Sequence, residues 1–492
     1  NGGAGQLTKV RLRGAQGNQV LTLIDGAPVN DPAAAGAGAG FDFAYLDAGS
    51  VEQIEILRGA GSAIWGSDAI GGVINIVTIK PGANTVSAYA EGGSFSTGRV
   101  GARGTWSAGP LTLSAYATAF KTGGISAAEE HAGNPEKDGA SGTTVSLRAA
   151  TEFGGGLYGQ AGLRVTRGEA DYDDGFPVQD NLVKTSMTRD VQGDARVGWR
   201  SDSKASGVEA MVLTTLAERE YPADFSPYFR GERTQYRLTG DTTFAGSHKA
   251  LLGYEHEDLE VLAGEDGSDA LFATYSGRPL ARLLIEGGVR YEDDSQYGAS
   301  TTGRIAAALD VWAGGALRAD YATGFRAPSI DEVLGAGFAD PNPNLKPERS
   351  NEWEVGLDQS AFGGALTFAI AYFDRDIKDQ INYNFPLNIF DNIDHVETRG
   401  TEVSAETALG AWTLRGTYSH IEAIDQSTGL QLQRVPQDTA SLDADFKATD
   451  NWSLGAFVNY NGEERDFPTN PSWTTLDLRT ALTLSPHAQI YA

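Results

Sequence analysis

From about residue 85 to its end the chain repeats one theme: segments of about ten residues in which apolar side chains alternate with polar or small ones. In residues 144–153, Val145, Leu147, Ala149 and Phe153 share one face, and Ser146, Arg148 and Glu152 share the other. In 280–292 the apolar face is Ala281, Leu283, Ile285, Val289 and Tyr291, against Arg282, Glu286, Arg290 and Glu292. Period-2 alternation is the mark of strands whose two faces meet different surroundings. About twenty such segments recur, each about as long as a tilted membrane strand. No apolar run approaches the ~18 residues of a spanning helix, so a helical membrane protein is excluded and a membrane barrel is not.

The connections sort by length. Short ones fall at 107–110, 154–156, 245–247, 313–315, 410–411 and 449–451. Between them lie long polar ones at 121–142, 168–188, 219–232, 326–349, 376–396 and 422–438. Short turns at one end and long loops at the other is the layout of an outer-membrane barrel. A β-solenoid would instead show a short fixed repeat, and this chain has none. Tryptophan agrees: Trp106, Trp199, Trp312, Trp412 and Trp452 lie beside short turns, Trp353 and Trp473 beside long loops, as two interfacial aromatic girdles require.

The charged counter-faces could not sit unpaired in a sandwich core, whereas a wide barrel with a polar lumen accepts them. A lumen that wide is an open pore unless filled. Residues 1–82 supply the filling. They lack the long alternation and predict short strands at 10–13, 20–25, 51–57 and 73–79 between glycine-rich turns. In "GSDAIGGVINIVTIKPG" (66–82), Gly66, Gly71 and Gly72 are expected to permit tight turns and close backbone approach, and Pro81 to end the strand. The expected division is 1–82 for the filling domain and 83–492 for the barrel.

Composition narrows function by exclusion. With 38 Lys+Arg against 65 Asp+Glu the net charge is −27, the opposite of a nucleic-acid footprint. Absence of cysteine removes disulfides, thiolate catalysis and cysteine metal sites. There is no Walker loop, nucleophile elbow or His-Glu-x-x-His, so no enzyme is expected. His248 and His256 are strand-spaced, without an obvious third ligand.

"VRLRGAQGNQVLTLIDGAPVNDP" (10–32), "VEQIEILRGAGSAIWGSDAIGGVINIVT" (51–78), "GFRAPS" (324–329), "NPNLKPERSNEWEVGL" (342–357) and "RGTEVSAE" (399–406) together resemble the TonB-dependent outer-membrane transporters, in that family's order. The resemblance implies an all-β membrane protein: a 22-stranded antiparallel transmembrane β-barrel whose lumen holds an N-terminal α/β plug. It implies energy-coupled uptake of a scarce, large ligand at the Gram-negative outer membrane, with TonB and outer-membrane lipids as partners and no required cofactor. A monomer is expected. Relative to the family the plug lacks its first part, with the TonB-contacting segment, and the barrel its last strand.

The resemblance also implies a latch in which plug Arg13 and Arg58 meet barrel Glu354 and Glu402. Alternation independently puts Glu352 and Glu354 on the face opposite Trp353 and Val355, and Glu402 opposite Val403. In the family two plug loops face the ligand. Here they are 15–19 and 30–43, with Gln16, Asn18, Asn30, Asp31 and Asp42 as polar groups and Phe41 and Phe43 as apolar ones. The loop "EADYDDGFPVQD" offers Asp171, Asp173, Asp174 and Asp180 as oxygen ligands for calcium, though without an EF-hand pattern. The plug segments most resemble those of cobalamin transporters. A ferric-siderophore receptor is the nearest alternative, and a passive porin or structural barrel the alternative of a different class.

Overall fold

The computed structural model describes the chain except residues 1–4, 37–38, 81, 127–133, 176–177, 180, 182, 225–227 and 467–468. From Thr85–Gly93 onward the alternating segments form a closed barrel of 22 hydrogen-bonded members, with antiparallel pairing between successive long strands. One member, Leu430–Gln431, is only two residues long, and Trp412–Asp425 also pairs directly with Asp438–Lys447 beside it. No described helix is long and apolar enough to cross a membrane.

Side-chain alternation follows the pleat. In Glu348–Ala361, Trp353 and Val355 are exposed outward at 42% and 46%, while Glu352 between the wall and the lumen's contents is 1% exposed. Trp106, Trp199, Trp312, Trp412 and Trp452 all lie exposed at short-turn ends. Trp473 departs from the expected girdle. It has the parity of Asp477 and Arg479, opposite exposed Leu476 and Leu478, and so lies on the lumen side of its strand.

The expected long loop at 376–396 is a hairpin instead. Leu366–Asn384 and Ile389–Leu409 stay paired as far as Asn384↔Ile389. The polar residues there suggested a loop, but buried Ile381 and Phe390 pack with Leu345 and Val333 of the neighbouring loop, which holds the strands together along this stretch.

Inside the barrel, strands β1 (Val20–Ile24), β2 (Ala27–Pro28), β3 (Val51–Arg58) and β4 (Gly72–Thr78) form a sheet in the order β2-β1-β4-β3, with β1 and β4 parallel. A single-turn helix, α1 (Ser62–Trp65), precedes β4. Residues 10–13 form no strand. Arg13 and Gly14 adopt φ of 51° and 77°, and a turn closes from Ala15 N–H to Leu12 O at 2.9 Å. Two apolar clusters hold the sheet, one around Val20, Ile24, Ile74 and Ile76, the other around Leu21, Leu23, Ala69 and Val73.

Candidate functional site

The turn at Arg13 sends its side chain into the wall. Arg13 Nη1 lies 2.8 Å from Glu352 Oε1, and its Nη2 lies 2.5 Å from Glu354 Oε2 and 2.8 Å from Glu402 Oε2. The guanidinium also stands 4.0 Å from the Phe373 ring centroid. Behind it Arg375, fully buried, donates from Nη2 to Arg13 O at 2.5 Å and lies 3.8 Å from Glu352 Oε2. Arg58 reaches Glu402 at 3.0 Å, with its side chain 55% exposed. Three carboxylates from two wall strands therefore converge on plug arginines in a nearly dry space, an arrangement stable only while every charge stays paired. The sequence reading named Arg13, Arg58, Glu354 and Glu402. It left Glu352 out of the latch although it shares the face of Glu354, and missed Arg375, whose parity was the available signal.

The plug is tied to the wall elsewhere as well. Asp25 binds Arg148 at 2.7 Å and the Thr78 hydroxyl at 2.6 Å. Asp47 accepts from Tyr89 at 2.9 Å and Tyr116 at 2.5 Å. Burial opposes ionisation of Asp47, but hydrogen bonds from Tyr116, Tyr89 and Gly49 hold its pKa below the ordinary value. Asp68 lies 3.6 Å from Arg233.

The mouth-facing plug loops show divided duties. Asn30 uses its amide on β1, accepting from Thr22 N–H at 2.9 Å and donating to Val20 O at 3.0 Å. Asp42 caps a short turn through Ala44 N–H and also accepts from Thr8 N–H. Phe41 and Phe43 meet edge-on at 4.9 Å and pack against the plug core. Asp31 binds wall Arg219 at 2.6 Å. Gln16 donates to Asn382 at 3.0 Å, on the extended hairpin. Asn18, 3% exposed, has neither side-chain polar atom bonded among the described residues. It lines a cavity of about 100 Å³ shared with Asp31, Asp68, Arg233, Glu257 and Ser329.

Of the proposed calcium loop, Asp171 accepts from Gly139 N–H at 3.2 Å and Thr185 Oγ1 at 3.1 Å, and Asp173 from Asn181 N–H at 3.1 Å. Asp180 lies outside the described residues, as does the side chain of Asp174. Asp173 instead groups with Glu136 of the adjacent loop and Asp138, which opens the wall strand Asp138–Gly154, one oxygen from each within 4.8 Å of the others. The reading within a single loop could not find these two.

A family model described as the TonB-dependent receptor plug domain matches residues 1–73, and one described as TonB dependent receptor-like, beta-barrel, matches 80–492. The chain belongs to the TonB-dependent receptor family. This receptor is 27% identical over 495 aligned residues to the vitamin B12 transporter BtuB of Photobacterium profundum, covering 96% of this chain and 78% of the relative. Its fold matches that of the siderophore receptor PirA of Acinetobacter baumannii with a TM-score of 0.82 at 17% identity, covering 99% and 88% of the two chains. A mutant of the ferric enterobactin receptor PfeA of Pseudomonas aeruginosa matches at 0.81 and 16%, with the same coverage. The receptor is thus an outer-membrane β-barrel transporter and not an enzyme.

On its mouth side the receptor carries α2 (Ile330–Leu334), where burial first, then the charge of Asp31, raises the Asp331 pKa to about 6. A carboxyl with a raised folded-state pKa binds more protons folded than unfolded, so docking of α2 weakens as pH rises from about 4 to 6. Asp331→Asn is expected to remove that dependence and to slow amide exchange in α2 at neutral pH. Exchange that keeps the wild-type pH profile contradicts it.

Proposed function

We infer that this receptor imports a cobalamin-class corrinoid, bound between the plug apex and the long-loop ends of the wall. The observation that carries the reading is the 27% identity to a vitamin B12 transporter along 96% of the chain. The chemistry supports it. The cavity beside the apex presents Asp31, Asp68, Glu257 and Asp294 against Arg233 and Arg326, a poor field for a polyanionic ferric catecholate. The amides of Gln16 and Asn18, each with a buried oxygen unbonded among the described residues, suit the amide fringe of a corrin. Phe338, Tyr383 and Phe390 form an aromatic cluster nearby, with ring centroids 5.4 to 5.8 Å apart.

In this reading ligand binding is passed to TonB, and force on the plug breaks the pairs of Arg13 and Arg58 with Glu354 and Glu402. The receptor is read as a monomer in lipid, its closed barrel leaving no open sheet edge along which a second copy could add a strand. Calcium at Glu136, Asp138 and Asp173 is the finer proposal for the acidic loops, their carboxylate oxygens being of the type that ion takes. Titration of the purified receptor with cyanocobalamin and with ferric enterobactin, each with calcium and with a chelator, tests both. Saturable cyanocobalamin binding, tightened by calcium, is expected. Binding of ferric enterobactin alone overturns the corrinoid reading, and identical affinities with and without calcium overturn the metal.

A further inference from the structure

Wall residues 324–329 meet the plug nearer the mouth than the Arg13 cluster does. Phe325 N–H donates to Ser62 Oγ, at the start of α1, at 3.3 Å, and Ala327 N–H to Ser67 Oγ, just beyond its end, at 3.2 Å. Between them Arg326, the last residue of its wall strand, reaches two wholly buried carboxylates. One is Glu332 on α2, at 3.0 and 3.3 Å; the other is Glu348, which opens the next wall strand, at 2.7 Å.

Each of these carboxylates also holds the plug. Glu332 Oε1 accepts the Gly36 N–H at 3.0 Å, and Glu348 Oε2 accepts Gln19 Nε2 at 2.9 Å. The remaining capacity is used locally, by Ser329 N–H on Glu332 at 2.9 Å and Ile381 N–H on Glu348 at 2.9 Å. Gln19 and Gly36 belong to the two plug loops that face the mouth. Ion pairs this deep in the protein depend on hydrogen bonds to offset their desolvation, and here Nη1 and Nη2 of one guanidinium serve both acids, its Nε being unbonded among the described residues. A lysine has one point charge and no planar fork, so it could not span them in the same way.

We propose that Arg326, Glu332 and Glu348 are positioning residues of a second plug fastening. It joins the loop that carries α2 to both mouth-facing plug loops, so that loop and plug apex move as one unit. Displacement of α2 by a seated ligand then reaches Gly36 and Gln19 directly, without passing through Arg13. The proposal deepens the transport reading and is independent of which ligand is carried.

The test is amide hydrogen exchange on the full receptor in detergent, without ligand. In Glu332→Gln the side chain still caps Ser329 N–H, so α2 remains, while the charged acceptor for Arg326 and Gly36 is gone. Exchange in the segment 33–36 is expected to rise about tenfold or more, with 10–14 unchanged. Glu402→Gln should do the reverse. Arg326→Lys, which keeps the charge, should reproduce the Glu332→Gln pattern and stands in if that variant fails to assemble. Wild-type exchange at 33–36, or equal acceleration at 10–14, overturns the proposal. Because no ligand is present, its failure leaves the corrinoid reading standing, and failure to bind cyanocobalamin leaves the fastening standing.

Discussion

Arg13→Ala should loosen the plug by about 3–5 kcal/mol, the usual cost of removing one partner from a buried charge cluster. The magnitude follows from what is left behind. Glu354 keeps Arg318 at 3.1 Å and Glu402 keeps Arg58 at 3.0 Å, but Glu352, 1% exposed, loses its one close cation and would face the other two carboxylates with little water. Arg375 cannot take over, because its Nη2 is committed to the Arg13 carbonyl and its Nη1 stands 3.8 Å from Glu352. Loss of the guanidinium's stacking on Phe373 at 4.0 Å adds to the deficit. The measurement is plug unfolding in urea, followed by proteolysis of the plug while the barrel stays folded. An unchanged plug midpoint would show that the cluster does not hold it. Arg58→Ala is the internal contrast: with a half-exposed side chain its pair with Glu402 is worth less than about 1 kcal/mol, so that midpoint should hardly move.

The wall was legible because one physical rule governs it. A strand between lipid and a polar lumen must alternate, and Trp353-Glu354-Val355 shows that alternation in the sequence itself. The same rule turned Glu354 and Glu402 inward, and the family resemblance supplied Arg13 and Arg58. What stayed hidden depends on contacts between distant segments. Asp25 with Arg148 is separated by 123 residues, and Gly36 with Glu332 by 296, and no local pattern announces either pair. The hairpin through 376–396 was hidden for a related reason: Asn382 and Asn384 read as loop residues, while the burial of Ile381 against Leu345 that keeps them paired is a tertiary fact. At the apex the residue types were read as ligand donors. Asn30 and Asp42 show how plug loops use the same chemistry to hold their own backbone.

Gly72→Ala should cost about 3 kcal/mol or more in plug stability, a large effect for a single methyl group. Gly72 opens β4 at φ 146°, a conformation that side chains other than glycine's rarely adopt. A Cβ there would collide with the Leu57 carbonyl oxygen and stand 2.8 Å from Leu12 Cδ1. The oxygen is backbone of β3, so relief requires parting β3 from β4 where Gly72 pairs with Arg58. That movement would also draw Arg58 from Glu402, so strain at one glycine reaches the plug–wall contact. Gly71 has no room either, since its Cβ would overlap that of Ala15 and lie 3.1 Å from the Gln19 carbonyl. Gly82, a few residues on, is the control. A Cβ there meets nothing closer than Lys80 O at 3.9 Å, and Gly82→Ala should stay within about 0.5 kcal/mol of the parent. Amide exchange across β3 and β4 reads the difference: protection should collapse in Gly72→Ala and persist in Gly82→Ala. Equal protection in the two would mean that the glycines of this segment are not there for close packing, and that β3 and β4 can part at the Leu57 carbonyl without loss of the sheet.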